Sequence, residues 1–73
     1  MIHGTEYTVI YEQDANGWGA TVPDLDCFAV ADDFETVKRD IAEAIRLNIE
    51  ARRERGYHVP APTTLSERLM VSA

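Results

Sequence analysis

Residues 6–22, with the sequence EYTVIYEQDANGWGATV, have the pattern of a β-hairpin. Polar and apolar side chains alternate over residues 6–13, and the aromatic and β-branched residues among them favour a strand. The dipeptide Asn16-Gly17 is a strong hairpin-turn signal, because both residues tolerate positive φ angles. The apolar residues that follow predict a returning strand over residues 18–23, which ends on a proline that has no N–H to donate.

The length of the turn determines which side chains share a face of this hairpin. A turn of two or four residues places the largest side chains of both strands together, because partners across an antiparallel pair point to the same side. A turn of three residues would direct Trp18 and Val22 away from the tyrosines, since a slip of one residue reverses a whole strand. We therefore predict an even turn. The shared face then carries Tyr7, Val9, Tyr11, Trp18, Ala20 and Val22.

A third strand is predicted over residues 27–31, CFAVA, which are apolar and include residues that favour strands. The pattern leaves its buried face open. Phe28 and Val30 favour one side, whereas the cysteine and the two alanines that alternate with them favour the other.

A helix is predicted over residues 33–55, where apolar residues recur at spacings of three and four. Asp32 and Glu35 match a capping box at its start, and Gly56 suits the position just after its end. The apolar stripe consists of Phe34, Val37, Ile41, Ala44, Ile45 and Ile49.

This order of elements predicts a single α+β domain over residues 1–73, in which a three-stranded antiparallel meander has one long helix packed on one face. Residues 56–62 contain two prolines and predict a turn back towards the sheet. Residues 63–73 fit a short further strand, one turn of helix or an irregular tail. A strand there would complete the order β-β-β-α-β.

The composition is that of a small globular protein, with 45% hydrophobic and 27% charged residues in 73. Its longest apolar run, residues 27–31, is too short to cross a membrane, and the first cation is Lys38, too late for a secretory signal. A single cysteine is typical of the reducing cytoplasm, where we expect the protein to act. A core this small favours a homo-oligomer, either a dimer or a tetramer, with Ile10 and Leu47 as candidate self-association residues.

The charge is unevenly distributed along the chain. The formal net charge is −6, yet residues 1–33 hold seven acidic residues and no Lys or Arg, while residues 34–73 hold all seven cations. An acidic half repels phosphate backbones, so we expect no direct nucleic-acid binding. It would attract a basic protein. The alternative is that the acidic residues serve only to keep a small domain soluble.

Catalytic and metal-binding arrangements are not evident in the sequence. The two histidines are isolated, and Cys27 has no nominated histidine partner, so it is more simply a core residue. An RNase H-like nuclease would need carboxylates converging from the first strand, the helix and a later strand. The helix acids lie mostly away from the apolar stripe, and only Glu67 follows the helix after residue 55. We therefore predict no catalytic residue, no metal and no cofactor.

The chain resembles the HicB-like antitoxins of bacterial and archaeal toxin–antitoxin pairs. The resemblance lies in YTVIYE at residues 7–12, VPDL at residues 22–25, DDFE at residues 32–35, AEAI at residues 42–45, and a glycine followed by VPAP at residues 59–62. It implies a partial RNase H-like fold without the nuclease carboxylates. It also implies a non-catalytic protein that binds and blocks a HicA-type toxin, which is a small basic RNA-cleaving protein.

Two departures from the family pattern bear on these expectations. The family usually has Pro-Gly between the positions of Leu25 and Cys27, where this chain has only Asp26. Many members also carry a C-terminal DNA-binding domain, for which a chain ending at Ala73 has no room, so we do not expect DNA binding.

The predicted partner-binding residues combine an aromatic anchor with an acidic rim, the usual pattern of an interface. The alternative is that Trp18 covers the end of the helix and the acidic residues are merely solvated. The second functional hypothesis is an orphan self-associating scaffold or regulatory binding module without a toxin partner. The candidate partner-binding residues are Asp14, Trp18, Asp24, Leu25 and Asp26.

Overall fold

The computed structural model describes residues 4–72, which form one antiparallel sheet and one helix. The sheet has the order β1-β2-β3, and the helix α1 packs across one of its faces. This confirms the predicted α+β class and the antiparallel meander. The elements are β1 at Ile10–Asp14, β2 at Gly17–Val22, β3 at Cys27–Ala31 and α1 at Phe34–Glu54.

The hairpin between β1 and β2 has the predicted parity but a different turn. Tyr11 pairs with Ala20 and Asp14 pairs with Gly17, so the two turn residues are Ala15 and Asn16 rather than Asn16-Gly17. The Asp14 carboxylate accepts the backbone N–H of Asn16 at 2.8 Å, which closes the turn locally. A side chain thus stabilises the turn in place of the positive φ angles expected of an Asn-Gly pair.

Gly17 is required at the first position of β2. Its φ of +139° is rarely adopted by other residues, and a Cβ there would collide with the carbonyl oxygen of Ala31 on β3. The glycine therefore permits close approach of the backbones where the hairpin meets β3.

The first strand is shorter than predicted, because it begins at Ile10 rather than at residue 6. Continuing the β1–β2 register would place Thr8 opposite Pro23, which has no N–H, and the chain turns after Val22. The same register places Val9 opposite Val22, the last residue of β2, so the residues before Val9 have no strand to pair with. Tyr7 and Val9 nonetheless pack against the core.

The helix begins one residue later than a capping box at Asp32 and Glu35 would require. The N-cap is Asp33, whose carboxylate accepts the backbone N–H of Thr36 at 2.8 Å and the Thr36 hydroxyl at 3.0 Å. The prediction of an Asp32–Glu35 box was wrong by one position, because adjacent aspartates give the same sequence signal.

The end of the helix has a Schellman motif. Gly56 has the left-handed φ of +70° expected after a helix, and its N–H donates to the carbonyl of Arg53 at 3.1 Å. The N–H of Tyr57 donates to the carbonyl of Arg52 at 2.7 Å.

Beyond the helix, residues 57–72 form no strand and no further helix, so the predicted short fourth strand is not found in the described part of the chain. Pro60 and Pro62 cannot donate to a ladder, and side chains rather than a neighbouring strand hold the start of the following segment. Within residues 4–72, no helix has both the length and the apolar character needed to cross a bilayer.

The core lies between the sheet and the helix. Five residues in it are at most 1% exposed, and a shell of partly buried residues surrounds them. The small side chains of β3 face the helix, whereas Phe28 and Val30 point to the other side, which resolves the orientation that the sequence left open. The fully buried residues are Ala20, Val22, Leu25, Val37 and Ile41.

Candidate partner-binding surface

The helix covers one face of the sheet and leaves the other, here called the open face, to solvent. The strand register defines the rows of side chains across it, because partners in neighbouring antiparallel strands point to the same side. One row contains Ile10, Thr21 and Phe28. The next contains Glu12, Gly19 and Val30.

Three large hydrophobic side chains lie on the open face and make up what we call the apolar strip: Phe28 and Val30 on β3, and Ile10 on β1, with Thr21 of β2 between Ile10 and Phe28. Phe28 is 73% exposed and Val30 is 72% exposed, whereas Ile10, on the outer strand β1, is 39% exposed. Side chains of this kind are common singly on surfaces, but Phe28 and Val30 side by side on one strand, with Ile10 across the same face, indicate an interaction surface.

Beside the apolar strip, towards the hairpin turn, the open face has a shallow depression that we call the acidic groove. It has a volume of about 560 Å³ and is bordered by the carboxylates of Glu12, Asp14 and Asp32. Its floor is formed at Gly17 and Gly19, which have no side chains to fill it. Val30 belongs to both the groove and the strip.

Among residues 4–72, no cation lines the acidic groove. The ion pairs within the same range are those of Arg46 with Glu43 and with Glu50, on the helix. Three carboxylates around one depression attract a cationic group, and an arginine side chain matches carboxylates especially well because its guanidinium donates in a planar fork. The groove is therefore suited to a basic side chain of a partner.

The five predicted partner-binding residues do not form one surface. Asp14 and Trp18 lie at the hairpin end of the sheet and line the acidic groove, whereas Asp24, Leu25 and Asp26 lie in the turn between β2 and β3 at the opposite end. Trp18 points to the helix side, where its ring meets Phe34 edge-on with a centroid distance of 5.0 Å. Trp18 therefore packs on the start of the helix.

Leu25 is only 1% exposed and belongs to the core, which assigns it a packing role. Its carbonyl accepts a hydrogen bond from the Asn48 side chain at 3.3 Å, which ties the turn to the helix. Asp26 is exposed and adopts a left-handed φ of +52°. The single residue between Leu25 and Cys27 thus makes a tight turn, in which the N–H of Asp26 donates to the carbonyl of Pro23 at 3.4 Å.

Asp24 binds the segment that follows the helix. Its carboxylate accepts hydrogen bonds from the hydroxyls and the backbone N–H groups of Thr63 and Thr64, at 2.9–3.3 Å. Partial desolvation raises the pKa of Asp24, but the hydrogen bonds from Thr64 and Thr63 outweigh it and leave the pKa below its usual value. We call this arrangement the Asp24 clamp.

The two predicted self-association residues lie on different sides of the protein. Ile10 belongs to the apolar strip, whereas Leu47 is 51% exposed on the helix, next to the Arg46 ion pairs. They do not form one continuous patch, because the sheet and the core separate the open face from the helix.

The sequence pattern left open whether Phe28 and Val30 are exposed, and Glu12 and Asp32 were not predicted as partner-binding residues. A signal was present, because the residues that alternate with Phe28 and Val30 are small. A helix packs closely against small side chains, so this pattern identifies the side of β3 that faces the helix.

Cys27 is half-buried beside the helix. Burial raises the pKa of its thiol, and the charge of Asp26 raises it further against the opposing effect of Arg52, so the thiol is a poor nucleophile. Among residues 4–72, no three His, Cys, Asp or Glu side chains are grouped so that they could hold a metal ion.

One comparison with known proteins gives a family. The family model described as the HicB-like antitoxin of the bacterial toxin-antitoxin system matches residues 7–72. No curated protein and no solved structure matches the chain significantly.

Proposed function

Because this chain belongs to the HicB-like antitoxins of bacterial toxin–antitoxin systems, we propose that it neutralises a toxin by binding, without catalysis. The proposed partner is a small basic RNA-cleaving protein of HicA type. The proposed contact surface is the acidic groove with the adjoining Val30. The single observation that carries this proposal is a groove with three carboxylates, no lining cation and a hydrophobic wall.

Charge supports the choice of partner. All seven cations of the chain follow residue 33, so the strands carry only acidic charges, and all three groove carboxylates belong to or directly follow a strand. Complementary charge speeds and orients the encounter of two proteins more than it tightens the final complex. Binding to nucleic acid is disfavoured for the same reason, because a phosphate backbone would meet like charge on this face.

The arrangement of acidic residues also supports a non-catalytic role. We propose that the three strands and the helix are the retained part of an RNase H-like fold. Glu12 and Asp14 point away from the helix, so they do not converge with Asp40 or Glu43 on a single metal. A metal-dependent nuclease needs such convergence.

The test is inhibition of the toxin's RNA cleavage by the variant E12Q/D14N/D32N. We expect its inhibition constant to rise at least tenfold, because the cationic groups of the toxin lose their partners. The matched control is E35Q/D40N/E54Q, which removes the same charge from exposed positions of the helix and should change the constant less than threefold.

The salt dependence of the association rate distinguishes binding at the groove from non-specific charge attraction. The association rate of the wild type should fall between 50 mM and 300 mM NaCl, whereas that of the groove variant should change much less. An equal loss of inhibition in the control variant would show that overall charge, not the groove, binds the toxin. RNA cleavage by the purified protein alone would contradict the non-catalytic role.

The alternative is a self-associating scaffold or regulatory binding module with no toxin, and exposed hydrophobic residues favour it. Phe28, Val30 and Leu47 are each more than half exposed, which suits a dimer or tetramer. A stable homo-oligomer that fails to protect RNA from any basic protein encoded beside its gene would favour this alternative.

A further inference from the structure

The segment of residues 65–72, which we call the apolar arm, is exposed along its whole length. It carries four large hydrophobic side chains that are 75–99% exposed: Leu65, Leu69, Met70 and Val71. It forms no helix or strand. An apolar segment of this kind exposes surface that folding or association normally removes from water.

The overall shape reflects this exposure. The radius of gyration is 14.3 Å, and the longest dimension is 47 Å. A compact chain of this length would have a radius of gyration of about 11 Å. The protein is therefore elongated, and the core, which lies between the sheet and the helix, contains no residue of the apolar arm.

The start of the apolar arm is held in a fixed position. The Asp24 clamp holds Thr63 and Thr64, and the hydroxyl of Thr8 donates to the carbonyl of Thr64 at 2.8 Å. These contacts place the first residue of the arm at the end of the sheet that carries the turn between β2 and β3. The row of Ile10 and Phe28 lies next to that end.

Each copy of the protein thus has an exposed apolar peptide and an exposed apolar surface. We propose that the apolar arm of one copy binds the apolar strip of a second copy, and that the exchange is reciprocal in a two-fold symmetric dimer. A two-fold axis makes both contacts at once, because each surface meets the complementary surface of its partner. This inference specifies the proposed self-association. It shares Val30 with the proposed toxin contact, whereas the three carboxylates of the acidic groove lie beside the strip.

Length and area are consistent with such a dimer. Eight residues in extended form span about 26 Å, enough to cross a sheet of three strands, which lie about 5 Å apart. Each copy contributes seven large hydrophobic side chains from its arm and strip. If each loses on the order of 100 Å² of exposed area, the interface approaches about 1,400 Å², within the usual size range of stable complexes.

The experiment measures mass by light scattering after size-exclusion chromatography, from 5 to 500 μM protein. We expect the wild type to be a dimer. The arm variant L69S/M70S and the strip variant F28S/V30T should both be monomeric at 50 μM. The control L47S removes an exposed leucine from the helix and should remain dimeric. Far-UV circular dichroism checks that each variant keeps its fold.

A mixing experiment identifies which surfaces meet. In a dimer reconstituted from isotope-labelled and unlabelled wild-type copies, isotope-filtered NOEs should join the methyl groups of Leu69 and Met70 to the ring of Phe28. Four results would overturn the proposal: a wild-type monomer at 500 μM, a dimer that the arm variant leaves intact, dissociation by L47S, or a dimer lacking these intermolecular NOEs. If L69S/M70S inhibits the toxin as strongly as the wild type does, a failure of the dimer proposal leaves the proposed toxin binding intact.

Discussion

Gly17 shows how one missing side chain shapes both the fold and the groove. Its positive φ and the nearby carbonyl of Ala31 exclude a Cβ. We predict that Gly17→Ala lowers the free energy of unfolding by about 2 kcal/mol or more, since it adds backbone strain to a steric collision.

Gly19 provides the control for this measurement. A Cβ added there would lie 4.0 Å from its nearest neighbours, which is ordinary contact, so Gly19→Ala should change stability little. Urea unfolding of the two variants gives the comparison. Equal destabilisation by both would show that strand flexibility, not the approach to Ala31, explains the effect.

The Asp24 clamp should depend on pH. Hydrogen bonds to its ionised form depress the folded-state pKa below the usual 3.8. A depressed carboxyl pKa stabilises the clamp above the ordinary pKa, and this stabilisation is lost as the pH falls through the lower, folded-state value. We therefore expect the amide protons of Thr63 and Thr64 to lose protection from exchange in acid, in NMR measurements corrected for the intrinsic rate.

The variants for this prediction are Asp24→Asn and Asp26→Asn. The first should weaken protection at neutral pH and flatten its dependence on pH, because an amide has only one acceptor oxygen. The second removes an equal charge nearby, from a side chain outside the clamp. If Asp26→Asn also flattened the dependence, general electrostatics rather than the clamp would control this segment.

At the scale of elements, the two adjacent aspartates at the start of the helix have different roles. Asp33 is the N-cap and Asp32 borders the acidic groove. We predict that Asp33→Ala lowers Tm by roughly 4–8 °C, the scale of one lost N-cap in a domain this small, while Asp32→Ala changes Tm by less than about 2 °C. Thermal unfolding followed by circular dichroism measures both, and a larger loss for Asp32→Ala would contradict the assigned cap.

Much of the element pattern follows from the sequence, because it depends on local periodicity. Alternation along residues 6–13 and 18–22 identified the correct parity of the hairpin, and Gly56 marked the end of the helix. The start of β1 did not follow from its own residues. It depends on Pro23, and only the strand register reveals that this proline lies opposite Thr8.

The candidate surface was harder to predict than the fold. Trp18 and Leu25 have the composition of interface anchors, yet tertiary packing places one against Phe34 and the other in the core. Of the predicted partner-binding residues, Asp14 and Trp18 line the acidic groove, although the Trp18 ring packs against Phe34. Which exposed residues share a face depends on pairing across three strands, and such pairing is not encoded in the composition of any one segment.

At the scale of the whole protein, the open face of the sheet and the helix side differ in their charged groups. The open face carries acidic and hydrophobic side chains, whereas Arg46 pairs with Glu43 and Glu50 on the helix. The proposed toxin contact and the proposed arm contact thus occupy neighbouring parts of one face. A dimer formed in this way would present two acidic grooves related by a two-fold axis.

The sequence CFAVA of β3 forms an unpaired edge of the sheet, and it contains no charged residue. Such edges are templates for cross-β aggregation, which natural proteins resist with flanking charges that act as gatekeepers. Here the gatekeepers are Asp26 before the strand and Asp32 just after it. Asp32 also borders the acidic groove, so one carboxylate that suits a basic ligand also guards this edge against cross-β pairing.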